Sequence, residues 1–113
     1  MTEGDVGVKK LFSYEDARAL LPEVRRLTEE AARQVEALGA PGEVAPSGAA
    51  QEKQSEIANA WAGALVEKGL QVKGLWLVDF DTGSGYYCWR YPEPEIQFYH
   101  SYEDGFRGRM RIQ

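Results

Sequence analysis

Any chemistry of this chain is expected around Cys88-Trp89-Arg90, in its aromatic C-terminal half. The 113 residues include a single cysteine, Cys88, and a single histidine, His100. A thiol needs a base or a positive neighbour to become a nucleophilic thiolate, so a Cys-His pair is the first arrangement to consider. The strand pattern described below places the two side chains on opposite faces of a sheet. We therefore expect Cys88 to be a packed, unreactive cysteine and expect no catalytic residue.

A metal site is the second possibility, and it needs more ligands than one cysteine and one histidine provide. The usual structural zinc sites use four Cys or His ligands, so His100 would have to act with carboxylates such as Glu95, Glu103 or Asp104. A lone histidine at the end of a strand is more often a hydrogen-bonded structural residue. His100 with Glu95 is therefore the alternative site, and the identity of any cofactor stays open.

Asp79 and Arg90 are the third candidate, because they lie diagonally across a predicted hairpin. We expect them to form an ion pair on the sheet surface. The functional alternative is a guanidinium held ready for a carboxylate or phosphate ligand. The same predicted face also carries Cys88 and Tyr99. We interpret these four residues as a polar face that binds a protein or a small ligand.

Length and composition favour one globular domain. A chain of 113 residues has the size of a single domain, since two halves would each be too short to bury an adequate core. Residues 1–10 are polar, contain glycine and show no periodicity. We therefore expect a flexible leader over 1–10, followed by one domain over residues 11–113.

Charge and cysteine content disfavour several classes of protein. A net charge of −5 disfavours nucleic-acid binding, which gains affinity from clustered Lys and Arg. No apolar run approaches the roughly 20 residues that span a bilayer, and nothing at the N-terminus resembles a secretory signal. The single cysteine excludes an intramolecular disulfide and suits a reducing compartment. We expect a cytoplasmic protein that does not contact a membrane.

Two amphipathic helices are predicted in the first half of the chain. Ser13 and Asp16 have the spacing of a capping arrangement, so a helix begins there. Apolar residues then recur at spacings of three and four as far as Leu38, and Pro22 is expected to kink the helix because it lacks an N–H. A second, weaker helix follows, and the two form an antiparallel hairpin over residues 13–68.

The second half is rich in aromatic and β-branched residues, which favour strands. Three strands are predicted, separated by turns that contain Gly or Pro: Leu75 to Asp81, Tyr86 to Tyr91 and Ile96 to His100. They form a three-stranded antiparallel β-meander over residues 75–100, and we expect residues 101–113 to be an edge strand or an extended arm. With the helical hairpin packed on this meander, the fold class is α+β.

The turn lengths also predict which residues pair across the sheet. In the first hairpin Asp79 lies opposite Cys88, and in the second Trp89 lies opposite Phe98. Because side chains alternate along a strand, this register puts His100 on the face that packs on the helices, away from Cys88. A slip of one residue would bury Asp79 and expose large aromatic side chains, which favours the register given.

Several short motifs occur in a fixed order along the chain. They are Phe12-Ser13-Tyr14-Glu15-Asp16-Ala17, Leu20-Leu21-Pro22-Glu23, Gly74-Leu75, Val78-Asp79-Phe80, Cys88-Trp89-Arg90, Glu93 to Ile96, Tyr99-His100 and Gly105-Phe106. In this combination the chain resembles the uncharacterised prokaryotic family named domain of unknown function 2203, over about residues 11–112. Asp81 and Tyr99 stand where similar proteins tend to have Pro and Trp. The resemblance implies an intracellular prokaryotic protein with no established activity.

Two helices over a small sheet leave one sheet face and one edge uncovered, which favours homodimerisation. We therefore expect a binding domain without enzymatic activity that acts as a homodimer. The alternative is a small metal-binding protein or enzyme whose site lies at the aromatic C-terminal sheet.

Overall fold

Two long helices pack on a five-stranded antiparallel sheet. The computed structural model describes residues 10–39 and 48–112. The predicted leader, apart from Lys10, lies outside the described residues, as do residues 40–47 between the two helices. No helix within the described ranges is long and apolar enough to cross a membrane.

The helices come first in the chain and the strands follow. The helices are α1 (Tyr14–Leu38) and α2 (Gly48–Glu67), and the strands are β1 (Gln71–Gly74), β2 (Leu77–Asp81), β3 (Tyr86–Arg90), β4 (Phe98–His100) and β5 (Met110–Arg111). A short 3-10 helix, Phe106–Gly108, precedes β5. The strand order is β1-β2-β3-β4-β5, and every neighbouring pair is antiparallel. The α+β class is confirmed, whereas the predicted count of three strands is wrong.

Helix α1 begins where the sequence predicts. The backbone N–H of Asp16 donates to Ser13 Oγ at 3.0 Å, and the backbone N–H of Ser13 donates to Asp16 Oδ2 at 3.1 Å. This reciprocal capping satisfies two backbone donors that would otherwise lack partners at the helix start. Pro22 lies inside the helix, which continues through it to Leu38. The kink at Pro22 stays a prediction.

The two helices run antiparallel, as three contacts between them show. Gln54 Nε2 donates to the carbonyl of Val35 at 3.0 Å near one end of the pair. Lys68 Nζ lies 3.0 Å from Glu23 Oε2 near the other end. In the middle, Trp61 Nε1 donates to Thr28 Oγ1 at 2.8 Å. The later a residue lies in α2, the earlier its partner lies in α1, which is the arrangement of the predicted hairpin.

The core lies between the helices and one face of the sheet. Its buried members from the helices are Ala17, Leu21, Val24, Ala31, Trp61 and Leu65, and those from the sheet and its loops are Phe12, Leu70, Val78, Phe80, Trp89 and Ile96. The chain enters the fold at Phe12, whose backbone N–H donates to the carbonyl of Asp81 at 2.7 Å. Its ring packs edge-on against Phe80 at 5.5 Å. Trp89 belongs to this core and is fully buried.

Strand β1 was not predicted, and its turn explains why. Leu75 and Trp76, assigned by the sequence pattern to the next strand, form the turn between β1 and β2. Trp76 has a φ of 62°, a conformation that tight turns usually assign to Gly or Asn. The ring of Trp76 instead contacts that of Trp61, with centroids 4.9 Å apart. The turn therefore has a tryptophan, held by a tertiary contact, where Gly or Asn is usual. For this reason the sequence gives no turn signal at Trp76.

The C-terminal arm pairs with the sheet through β5. Tyr99 lies opposite Met110 and Phe98 lies opposite Arg111. Met110 and Arg111 thus form the short edge strand β5 within the segment expected to be an edge strand or an extended arm.

Thr28 is a buried polar residue that joins the two helices. Its hydroxyl donates to the carbonyl of Val24 at 2.7 Å and accepts the indole N–H of Trp61. Replacing Thr28 with Val keeps the shape but leaves a buried indole donor without an acceptor, at a cost of about 1–3 kcal/mol. We expect Thr28→Val to lower the free energy of unfolding, measured by urea denaturation, by this amount.

A double-mutant cycle with Trp61→Phe isolates the hydrogen bond from packing. In the Trp61→Phe background no indole donor remains, so Thr28→Val should cost about 1 kcal/mol less than in the wild type. Equal costs in both backgrounds would show that the hydrogen bond does not stabilise the fold.

Candidate metal centre

The pairing of the strands decides which side chains meet on the sheet face away from the helices. In the first hairpin the predicted register is confirmed, with Asp79 opposite Cys88. In the second hairpin the prediction is wrong by one residue, because Phe98 lies opposite Cys88 and not opposite Trp89. His100 therefore lies on the same face as Cys88.

The loop between β3 and β4 causes this shift. The prediction treated Pro92 to Glu95 as a symmetric turn, with the strands paired up to Ile96. Instead, the chain folds back on the end of β3: Glu93 donates its backbone N–H to the carbonyl of Arg90 at 2.8 Å, and its carboxylate accepts the backbone N–H of Arg90 at 2.9 Å. Ile96 leaves the ladder and enters the core, where it is 2% exposed. The loop that leads into β4 is therefore not the symmetric turn of the prediction, and β4 pairs one residue out of the predicted register.

Three potential metal-binding side chains converge as a result. Asp79 on β2, Cys88 on β3 and His100 on β4 each offer one donor atom, and all three atoms lie within 4.8 Å of one another. These residues are 1%, 1% and 3% exposed. The expectation that Cys88 and His100 diverge is wrong. We refer to Asp79, Cys88 and His100 as the metal-ligand cluster.

The hydrogen bonds of His100 define what the ring can do. Its Nδ1 lies 2.8 Å from the carbonyl oxygen of Ser101, which can only accept, so Nδ1 carries a hydrogen. Its Nε2 lies 3.0 Å from Asp79 Oδ2, another acceptor. With Nδ1 already protonated, the Nε2 lone pair of a neutral ring would face the carboxylate lone pairs. A cation between Nε2 and Oδ2, either a proton or a metal ion, removes this repulsion.

The carboxylate of Asp79 has incomplete partners for a buried charge. Oδ2 faces His100 and lies 3.3 Å from Lys73 Nζ. Oδ1 is buried and has no hydrogen-bond partner of normal geometry in the described part of the chain. A buried acceptor without a partner is costly and uncommon. This oxygen therefore has free capacity to coordinate a cation.

The predicted ion pair between Asp79 and Arg90 is not formed. Arg90 is exposed, and its guanidinium lies 5.8 Å from the ring centroid of Phe106. Lys73, on the unpredicted strand β1, takes its place beside Asp79. The sequence could have indicated Lys73 only if the turn at Leu75 had been recognised.

Burial and charge together keep the thiol of Cys88 protonated. The pKa of Cys88 is raised to about 12, first by burial and then by the negative charge of the neighbouring Asp79 carboxylate and its hydrogen bond with the thiol; Arg109 acts in the opposite direction. Without a metal, Cys88 is thus a poor nucleophile at neutral pH. A bound metal ion would displace the thiol proton and convert Cys88 into an anionic ligand.

A cavity of about 210 Å³ opens over the metal-ligand cluster. Its walls are formed by Lys73, Leu77, Asp79, Cys88, His100, Asp104, Gly105 and Phe106. This volume is below the roughly 300–1,000 Å³ of sites for drug-sized ligands. The space suits an ion together with a very small ligand.

Two of the residues predicted for a site lie elsewhere. Tyr99 lies on the other sheet face, where its hydroxyl donates to the carbonyl of Ser84 at 3.0 Å. Glu95 lies in the exposed loop before β4, where it lines a different hollow with Tyr14 and Arg25. The alternative metal pair of His100 with Glu95 is therefore not formed, and Asp79 is the carboxylate that meets His100.

The fold and the cluster define an α+β protein with a buried, mixed N/O/S donor set. The model of a family of uncharacterized conserved proteins, DUF2203, matches residues 10–112. The chain belongs to this family, which confirms the resemblance drawn from its motifs. No curated protein and no solved structure matches the chain. The family description assigns no activity.

The raised pKa of Cys88 has a measurable consequence for the metal-free protein. At pH 8 a thiol with a pKa near 12 has roughly a thousandfold less thiolate than an ordinary cysteine. We expect iodoacetamide to alkylate Cys88 in the native protein at least ~100-fold more slowly than in the protein unfolded in guanidinium. The rate should keep rising above pH 10, where the unfolded control levels off. Equal rates and equal pH profiles would contradict this account of the thiol.

Proposed function

We propose that the protein binds a divalent transition-metal ion, with zinc the best fit, through Asp79, Cys88 and His100. The observation that carries this proposal is the convergence of three buried donor atoms within 4.8 Å, one of them on a carboxylate whose second oxygen has no hydrogen-bond partner of normal geometry among the described residues. Buried ionisable groups of this kind are costly unless a cation or a hydrogen-bond network compensates them.

The distances suit a small four-coordinate ion. A tetrahedral zinc ion with bonds of about 2.0–2.1 Å holds its oxygen and nitrogen ligands about 3.3 Å apart. Asp79 Oδ2 and His100 Nε2 are 3.0 Å apart, so these two ligands need to separate by only a few tenths of an ångström to hold the ion. The hydrogen bond from His100 Nδ1 to the Ser101 carbonyl is the kind of outer contact that orients a metal-bound histidine.

The donor types narrow the choice of metal. Thiolate and imidazole ligands favour zinc over magnesium or calcium, which prefer oxygen. Three protein ligands leave one tetrahedral position open, as in catalytic rather than structural zinc sites. Of the two functions expected from the sequence, the geometry supports the metal-binding alternative, with Asp79 in the role first given to Glu95.

Metal binding can be tested by titrating the metal-free protein with Co²⁺, which reports on its ligands. We expect one ion per chain and a near-ultraviolet charge-transfer band from Cys88 thiolate. At least one proton should be released per ion, because the thiol must lose its proton to coordinate. The substitutions Asp79→Asn, Cys88→Ser and His100→Gln should each weaken binding by roughly a hundredfold.

The matched control is Glu95→Gln, which changes a carboxylate outside the cluster and should leave the affinity unchanged. Cys88→Ser should abolish the charge-transfer band. Asp79→Asn should still show the band in the protein molecules that bind Co²⁺. If the folded wild-type protein binds no Co²⁺ or Zn²⁺ at micromolar concentrations, the cluster is a proton-bridged Asp79-His100 pair and the proposal is wrong.

We also propose that residues 11–113 act as one cytoplasmic domain that self-associates as a homodimer. Support for self-association comes from the sheet face that carries the core, at the β4–β5 end. There, Tyr87, Tyr99, Met110, Arg111 and Ile112 line an open hollow of about 730 Å³. Met110 on the short edge strand β5 is 58% exposed. Edge-to-edge pairing of two β5 strands would extend the sheet and bring the two apolar patches together. A cytoplasmic location agrees with a buried, reduced Cys88.

Self-association can be tested by sedimentation at micromolar concentration. Met110→Glu places a charge in the proposed interface, and we expect it to shift the protein from dimer to monomer. Leu75→Glu is the control, because Leu75 is also 58% exposed but lies by β1, at the opposite edge of the sheet. A wild-type monomer, or a dimer that Met110→Glu leaves intact, would contradict this interface.

A further inference from the structure

We propose that the metal-loaded cluster binds a small, singly charged anion at its open position, a carboxylate being the fitting chemical class, with Lys73 as the counter-charge. This inference rests on the proposed metal binding at Asp79, Cys88 and His100. It adds a ligand class to that site and gives Lys73 a role in both states of the protein.

The open coordination position faces the cavity because of the way the sheet presents the ligands. Asp79, Cys88 and His100 come from three adjacent strands and project from the same sheet face. Three ligands supplied from one side leave the fourth tetrahedral position pointing away from the sheet. That direction leads into the cavity of about 210 Å³ between Lys73 and Phe106.

Charge balance makes an anion the favoured occupant. Before metal binding, Lys73 Nζ lies 3.3 Å from Asp79 Oδ2 and neutralises the buried carboxylate. A divalent ion and its two anionic ligands, one thiolate and one carboxylate, are together electrically neutral. The ion therefore replaces Lys73 as the partner of the Asp79 carboxylate. The ammonium group, which stays at the cavity wall, then loses its contact with a free carboxylate. An anion on the metal restores an ion pair for it.

Lys73 is placed so that it can exchange partners. Its side chain is 39% exposed, whereas the carboxylate that it contacts is 1% exposed. Its ammonium group lies 4.2 Å from the ring centroid of Tyr86, which offers a cation–π contact in either state. To contact an anion on the metal, the Lys73 side chain therefore needs only to rotate from Asp79 towards the interior of the cavity.

The remaining cavity walls limit the anion to a small one of single charge. Leu77, Gly105 and Phe106 offer few polar partners for a large ligand. Asp104 also borders the cavity, and its Oδ2 accepts a hydrogen bond from Ser101 Oγ at 3.0 Å. Its negative charge would repel a multiply charged anion. Arg109, whose guanidinium lies 4.0 Å from the ring centroid of Phe106, is already paired with Glu93 at 2.8 Å.

The test measures Co²⁺ affinity with and without 100 mM acetate, with ionic strength held constant by perchlorate. Ligands that bind the same state strengthen each other's binding reciprocally, so acetate should raise the Co²⁺ affinity of the wild-type protein by about fivefold or more. Acetate should also shift the visible d–d bands of the bound Co²⁺, which reports directly on the open position. Lys73→Met should bind Co²⁺ more tightly than wild type without acetate, because a competing cation is gone, and should lose the acetate effect.

Two further variants separate charge from other effects. Lys73→Arg keeps the positive charge and should keep the acetate effect, and Lys53→Met removes an exposed lysine of α2 and should behave as wild type. If wild type binds Co²⁺ but acetate changes neither its affinity nor its d–d bands, the anion site is wrong while metal binding stands. An acetate effect of equal size in Lys73→Met would overturn the role of Lys73. If no variant binds Co²⁺, the underlying metal proposal fails instead.

Discussion

The buried carboxylate of Asp79 is the constraint on which the rest of the sheet depends. It lies on β2, an interior strand of the sheet, and is 1% exposed; three other strands supply the groups around it: Lys73 from β1, Cys88 from β3 and His100 from β4. A charge in such a place must be compensated, or folding would bear the full cost of removing it from water. The strands around β2 thus bring together the groups that compensate the charge of Asp79.

One face of the sheet stabilises the fold, and the other carries the candidate metal ligands. Val78, Phe80 and Trp89 pack on the helices, whereas Asp79, Cys88 and His100 project from the opposite face. Because the residues alternate along the same strands, rigid packing on one side holds the donors on the other. This is the arrangement that a metal site requires, since ligands on well-packed strands keep their geometry when the ion binds.

Local signals in the sequence were sufficient to predict the helices and the pairing of the first hairpin. The cap at Ser13, the apolar spacing of α1 and the Gly-rich turn before β3 are short-range features, and each predicted its element correctly. The pairing of β4 was not predictable in this way. The loop before β4 folds back on Arg90 and places Ile96 in the core among residues distant in sequence, and no local signal predicts this. The same one-residue shift moved His100 into the candidate site and Tyr99 out of it.

When metal is supplied, we expect the cation between Asp79 and His100 to be a metal ion. The most direct measurement is a crystal structure of the zinc-loaded protein with anomalous data collected at the zinc edge. We expect one anomalous peak bonded to Asp79 Oδ, Cys88 Sγ and His100 Nε2 at about 2.0–2.3 Å. This expectation would be contradicted by a structure without a peak in this cluster, in which Nε2 and Oδ2 remain in direct hydrogen-bond contact.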